Sequence, residues 1–188
     1  MKCLVLLLTL AVLTPLSAET LGSVIKITPV AGWNRENQGE AGPQENRLPT
    51  LRFVPKDGRN AAIIMTLLPS DAPGFTVTNH ASLERFNLLS AQPYIANHDE
   101  PPAPNVVEIA NGIGVSVTNE DPALIGKPVP PNEYRIATSV SVLLDRKYLI
   151  HCTIFYDEKD SVDLHEALEI LRSARIKSAA SSSSSNAI

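Results

Sequence analysis

The sequence predicts an α+β domain, and three observations carry that prediction. Apolar runs of strand length follow one another across tight-turn residues: Asp57-Gly58, Asn111-Gly112 and Asp145-Arg146. Two segments instead repeat their apolar residues at helical spacing, one beginning at Asn79 and one after Asp160. Strands joined by such turns pair antiparallel, and the helices then pack on the sheet faces.

Taken in order, Gly22 to Pro29 alternates loosely through Val24, Ile25 and Ile27 and reads as a first strand. Gly32-Trp33 follows, and then Asn34 to Pro49, a polar stretch without periodicity. Thr50–Val54 and Ala61–Leu68 form a hairpin, because Gly58 tolerates the positive φ its turn requires. In Asn79–Leu89 the residues Leu83, Phe86 and Leu89 recur every third position, and Pro93 is expected to end or kink that helix. A second hairpin joins Val106–Ile109 to Ile113–Val117, and a third joins Arg135–Leu144 to Lys147–Tyr156. The last helix has Asp160 as the expected N-cap, a stripe of Leu164, Leu168 and Leu171, and Arg172 and Arg175 near its end.

Both termini lie outside this domain. Lys2, the apolar run Cys3–Leu13 and the small residues Leu16-Ser17-Ala18 read as a secretory signal peptide, cleaved after Ala18. The run is shorter than the roughly 20 apolar residues a membrane span needs. Cys3 precedes it, so the acylated cysteine of a lipoprotein is not expected. Residues 178–188 (SAASSSSSNAI) have almost nothing to bury and read as a disordered tail. One domain, residues 20–177, is thus expected in a secreted or periplasmic, monomeric protein with no integral membrane segment. The net charge of −4 has its acids and bases interspersed, which argues against nucleic acid as a partner. Cleavage removes Cys3 and leaves Cys152 without an internal partner, so a packed core must supply the stability.

The most suggestive chemistry is His151 beside Cys152 in the run YLIHCTIFY. Along a strand Tyr148, Ile150, Cys152, Ile154 and Tyr156 face one way, and Leu149, His151, Thr153 and Phe155 face the other. Adjacent strand residues cannot form a nucleophile–base pair, so a buried structural thiol is expected. His98-Asp99-Glu100 is contiguous, which suits chelation poorly, and the acids from Asp157 to Glu166 read as helix capping rather than a calcium loop. Gly112-x-Gly114 opens a strand and lacks the third glycine of a nucleotide fingerprint. No cofactor, metal or catalytic residue is therefore assigned. The long aperiodic loops 34–49 and 119–133 are the better candidates, since loops of that length are usually functional or disordered. The candidate binding residues are Trp33, His98, Lys127 and Tyr134, with core packing the competing role for Trp33.

The chain resembles the PsbP-like family, named for an extrinsic protein of the photosynthetic oxygen-evolving complex. The residues that carry the resemblance are Ile27-Thr28-Pro29 with Gly32-Trp33, Leu51-Arg52-Phe53 turning into Asn60-Ala61-Ala62-Ile63-Ile64, Lys147-Tyr148-Leu149-Ile150, and Leu168-Glu169-Ile170-Leu171-Arg172-Ser173. It covers most of residues 23–176, with Ala174 where such proteins often place phenylalanine. Residues 70–133 have no counterpart, so no partner-binding residue carries over. The resemblance implies an α/β/α sandwich whose central antiparallel sheet has about six to seven strands, with two main helices. That fold is shared with the Ran-binding nuclear import factor and bacterial periplasmic relatives. It also implies a non-catalytic binding or accessory role with an envelope or secreted protein partner. The alternatives are a hydrolase or metal-dependent enzyme built from the loops and His98, or a small-ligand carrier.

Overall fold

The computed structural model describes residues 18–36, 48–70, 76–95, 102–131, 133–159 and 161–177. The expected signal peptide, the serine-rich tail, most of loop 34–49, His98-Asp99-Glu100 and Asp160 lie outside the described residues. Within them the chain forms ten strands and two α-helices: β1 Glu19–Leu21, β2 Ile25–Ile27, β3 Trp33–Glu36, β4 Thr50–Pro55, β5 Ala62–Pro69, α1 His80–Ile95, β6 Asn105–Val107, β7 Gly112–Glu120, β8 Ile136–Leu144, β9 Tyr148–Tyr156, α2 Val162–Arg172 and β10 Arg175–Ile176. Seven strands make one antiparallel sheet in the order β3-β4-β5-β9-β8-β7-β6, and β1, β2 and β10 make a second, small sheet. The α+β class and the antiparallel pairing are as the sequence implies, and seven strands fall within the six to seven that the resemblance implies.

Strand β9 is the middle of the large sheet, and its alternation assigns the two faces. Ile150, Cys152, Ile154 and Tyr156 enter the main core with Phe53, Ile63, Met65 and Val140, beneath Ala167, Ile170, Leu171 and Ala174 of the α2 region. Leu149 points the other way and joins Leu83 of α1 in a smaller cluster with Val77, Val115 and Leu143. Each face thus carries one helix. The α2 side also carries Leu21, Ile25 and Ile27 of the small sheet.

Four sequence expectations need correction. The first strand pairs with β1 and β10 in the small sheet, because the chain before Gly22 and after Ala174 returns to it. Trp33–Glu36, expected to open a loop, is the edge strand β3 paired with Val54 and its neighbours. Its alternation is hidden in the sequence because only Trp33 is buried and the next three residues face solvent. Helix α1 runs two residues beyond Pro93, whose missing N–H and ring remove one i→i−4 bond in the last turn, so the helix ends shortly after the proline and not at it. Finally, Ser161 is the N-cap of α2, its Oγ accepting from the Leu164 N–H at 3.4 Å. The buried stripe of α2 is turned toward Ala167, Ile170 and Leu171, leaving Leu164 and Leu168 only partly buried.

Arg59, in the turn between β4 and β5, fastens α2 to the sheet. Its guanidinium pairs with Asp163 at 2.6 Å, with Glu166 at 3.2 Å and with Asp57 at 2.9 Å. Glu166 also accepts from the Trp33 indole N–H at 2.8 Å. Asp163 is 8% exposed, and burial pushes its carboxyl upward against the opposing pull of Arg59. Removing the guanidinium strands a buried carboxylate, which costs far more than losing a surface pair. Arg59→Ala is therefore expected to lower stability by roughly 2–3 kcal/mol in denaturant titration, whereas Arg35→Ala, at an exposed pair with Glu19, should change it by under about 1 kcal/mol.

Candidate functional site

The thiol and imidazole that opened the chemical question are separated by the sheet. Cys152 is fully buried on the α2 side, and burial pushes its thiol well above the ordinary range. His151 lies on the α1 side, where its ring meets Phe86 edge-to-face at 5.7 Å. A serine–histidine pair does occur there, Ser141 Oγ and His151 Nδ1 being 3.2 Å apart. Asn87 of α1 completes the group by donating to Ser141 Oγ at 2.9 Å and Ser139 Oγ at 3.2 Å. Ser141 and Asn87 are both fully buried, so no carbonyl substrate reaches this hydroxyl. Burial also pulls the imidazole down to about 4, which keeps it neutral. The layer is a buried polar seam under α1.

The acids near α2 are likewise occupied structurally. Asp157 accepts from Asn60 Nδ2 at 2.9 Å and from the Arg135 N–H at 3.2 Å, and Lys159 pairs with Glu120 at 2.5 Å. Among the described residues no group of three or more His, Cys, Asp or Glu is arranged to hold a metal ion.

One of several open clefts lies at one end of the large sheet, on its α1 face. A cleft of about 330 Å³ opens there between the last turn of α1 and the segment 121–135. Phe155 forms its floor: residues Ala62, Phe155, Ala137 and Asn119 align across four strands, so their side chains share this face. Small Ala62 and Ala137 flank the ring and leave room above the sheet. Tyr94 meets Phe155 at 5.8 Å and 76°, and Tyr134 lies over it at 5.1 Å and 31°. Offset and edge-on arrangements at these separations favour one another, so the rings form a cohesive aromatic wall.

Arg135 shapes the opposite wall. Its Nε donates to the Leu124 carbonyl at 3.3 Å, Nη1 to that of Asp157 at 3.1 Å and Nη2 to that of Lys127 at 2.6 Å. Asp121 begins a short 3-10 turn, Pro122–Leu124, by accepting from the Ala123 N–H at 2.8 Å. Pro122, Leu124 and the Arg135 anchors thus hold a long connection in one shape, where its backbone alone would not order it.

The sequence-predicted site residues divide accordingly. Tyr134 lines the cleft. Lys127 is exposed beside it and is not part of its lining, while its carbonyl anchors Arg135. Trp33 is 2% exposed, with its N–H committed to Glu166, so core packing is its role and the binding assignment does not stand. His98 lies outside the described residues. The sequence reading missed Tyr94, Asn119, Arg135 and Phe155. For Phe155 a signal existed: it shares the His151–Thr153 face, where polar neighbours on a central strand mark something other than plain core.

Among the described residues no helix is long and apolar enough to cross a membrane. No protein-family model matches the chain, and no curated protein matches it. Among solved structures, a protein from Bacteroides thetaiotaomicron is similar at a TM-score of 0.45 and 12% identity over 82% of this chain, which spans 45% of that protein's length.

Two expectations test these assignments. The Cys152 thiol should resist maleimide in the folded protein and react once denaturant opens the core, with Cys152→Ala costing about 1 kcal/mol. Rapid labelling of native protein at neutral pH contradicts the buried assignment. For His151 the folded pKa, about 4, lies below the ordinary 6.5, so the unfolded chain binds the extra proton between those values. Stability must then fall as pH drops through that window, by on the order of 2 kcal/mol at pH 5. Melting of wild type and His151→Asn at pH 8 and pH 5 isolates the effect, which the variant should lose.

Proposed function

We propose that this chain is an exported, non-catalytic binding module of PsbP-like architecture, and that it takes its ligand in the cleft between α1 and residues 121–135. The observation that carries the reading is the convergence of Tyr94, Tyr134 and Phe155 from α1, the 121–135 connection and β9 onto one opening, with that connection braced by Arg135. Aromatic side chains present a large contact area at little entropic cost, and a rigid wall spares the ordering that binding otherwise requires. The histidine–serine and cysteine groups that an enzyme would use are instead enclosed on opposite faces of the sheet. Export rests on residues 1–18, and a non-catalytic role is also what the PsbP-like resemblance implies.

Capture from native envelope extract tests the reading. Wild type should retain a partner that Tyr134→Ala and Phe155→Ala lose, with both variants still folded by circular dichroism. Partner capture unaffected by either change places the binding surface elsewhere. Intact mass of the mature protein should correspond to cleavage after Ala18. Stoichiometric zinc in the purified protein, or hydrolase turnover lost in His98→Ala, favours a loop-built enzyme instead.

A further inference from the structure

The walls of the cleft offer acceptors in excess of donors, and that imbalance constrains what can enter. Asn119, at the end of β7, is 7% exposed and lines the cleft. Its Nδ2 donates to the Tyr94 carbonyl in the last turn of α1, while its Oδ1 has no partner among the described residues. A buried acceptor left in that state is destabilising, and an entering N–H group relieves it. Two carboxylates also line the opening, Asp121 half-buried and Glu133 exposed. The C-terminal end of α1 adds roughly half a negative charge from the aligned peptide dipoles, and its last turn contains no basic residue to offset it.

Arg135 is the one cation on these walls among the described residues, and it does not reverse the balance. All three of its guanidinium nitrogens already donate to carbonyls of its own surroundings, at Leu124, Lys127 and Asp157. Its geometry is that of a loop anchor. The remaining surface is the aromatic wall, whose ring faces carry negative quadrupole density and attract cations at separations within about 6 Å.

Resting on the reading of this cleft as the binding site, we propose that its ligand is an organic cation: a primary ammonium or guanidinium group. Such a group sits against Tyr94, Tyr134 and Phe155, faces Asp121 and Glu133 as counter-charges, and has an N–H to offer Asn119 Oδ1. The shared chemistry is found in a lysine or arginine side chain of a partner protein and in a free aliphatic amine.

The test is a titration of the mature protein followed by NMR at the Tyr94 and Tyr134 ring resonances. The probes are N-acetyl-lysine methylamide and N-acetyl-arginine methylamide for side-chain cations, and putrescine for a free amine. N-acetyl-leucine methylamide, glucose and acetate serve as uncharged and anionic controls. At least one cation should shift both rings saturably where the controls do not, and stronger binding of the amino-acid amides or of putrescine identifies the source. Affinity should fall about fivefold in Asp121→Asn/Glu133→Gln, with Asn retaining the cap to Ala123, and should weaken as salt rises. Equal shifts from a control, or cation binding unchanged in the double variant, overturn the cation while leaving the cleft as the binding site. Silence from every cation overturns it as well, and partner capture by Tyr134→Ala then decides separately whether the cleft reading survives.

Discussion

The two-residue period of strand β9 governs everything else in this molecule. As the middle strand of seven, β9 is covered on both faces, so each of its residues must commit to one of two interiors. The even-numbered positions supply the apolar core beneath α2, and the odd-numbered positions supply the seam beneath α1. His151 and Cys152 are neighbours in sequence and belong to different compartments of the fold. The same alternation brings Phe155, four residues past His151 on the same face, to the end of the sheet where the covering helix stops. A one-residue slip of β9 would exchange the two interiors, placing an imidazole in the apolar core and a thiol under α1.

What was legible in the sequence follows from how strongly each segment is constrained by burial. The strands β8 and β9 are buried along nearly their whole length, so their apolar character and their turn at Asp145-Arg146 announced them. Both turn residues adopt positive φ, 48° and 55°, without being glycine, so the hairpin is imposed by the strands it joins. Strand β3 was illegible for the converse reason, because an edge strand with one buried residue has no pattern to show. Asp160 is the cap the sequence suggests for α2, and the structure gives Ser161, one residue on. The cleft was half legible. Tyr134 stood out in a long proline-rich loop, but Tyr94, Asn119 and Arg135 acquire their roles only when three elements meet. No local pattern encodes that meeting.

The position of the cleft has a simple structural cause. Pro93 removes a backbone donor near the end of α1, and the helix closes two residues later. The sheet continues beneath, so its α1 face is uncovered there at the level of Ala137 and Phe155. The connection from β7 to β8 must cross this same end, and Arg135 at its close ties it back by bonding the carbonyls of Leu124 and Lys127 within it and of Asp157 after β9. An opening remains because one wall ends early and the other is tied back.

The two faces of the sheet also differ in how fully their polar groups are satisfied. The α2 side holds the large apolar cluster and is clamped by Arg59 through Asp163 and Glu166. The α1 side holds two small clusters and the Asn87–Ser139–Ser141–His151 seam. The buried side-chain atoms without a partner among the described residues are Arg52 Nε, Asn87 Oδ1 and Asn119 Oδ1. Asn87 bonds the seam, Asn119 aligns with Phe155, and Arg52 pairs through Ile64 with Thr153, so all three belong to the α1 side. Apolar burial carries most of the free energy of folding, while unsatisfied polar groups detract from it. The large apolar cluster thus lies on the α2 side, and the unsatisfied polar atoms fall on the α1 side. Of these three residues only Asn119 lines the cleft, so under the proposed reading an entering N–H relieves that one atom, while the apolar core on the opposite face braces the sheet.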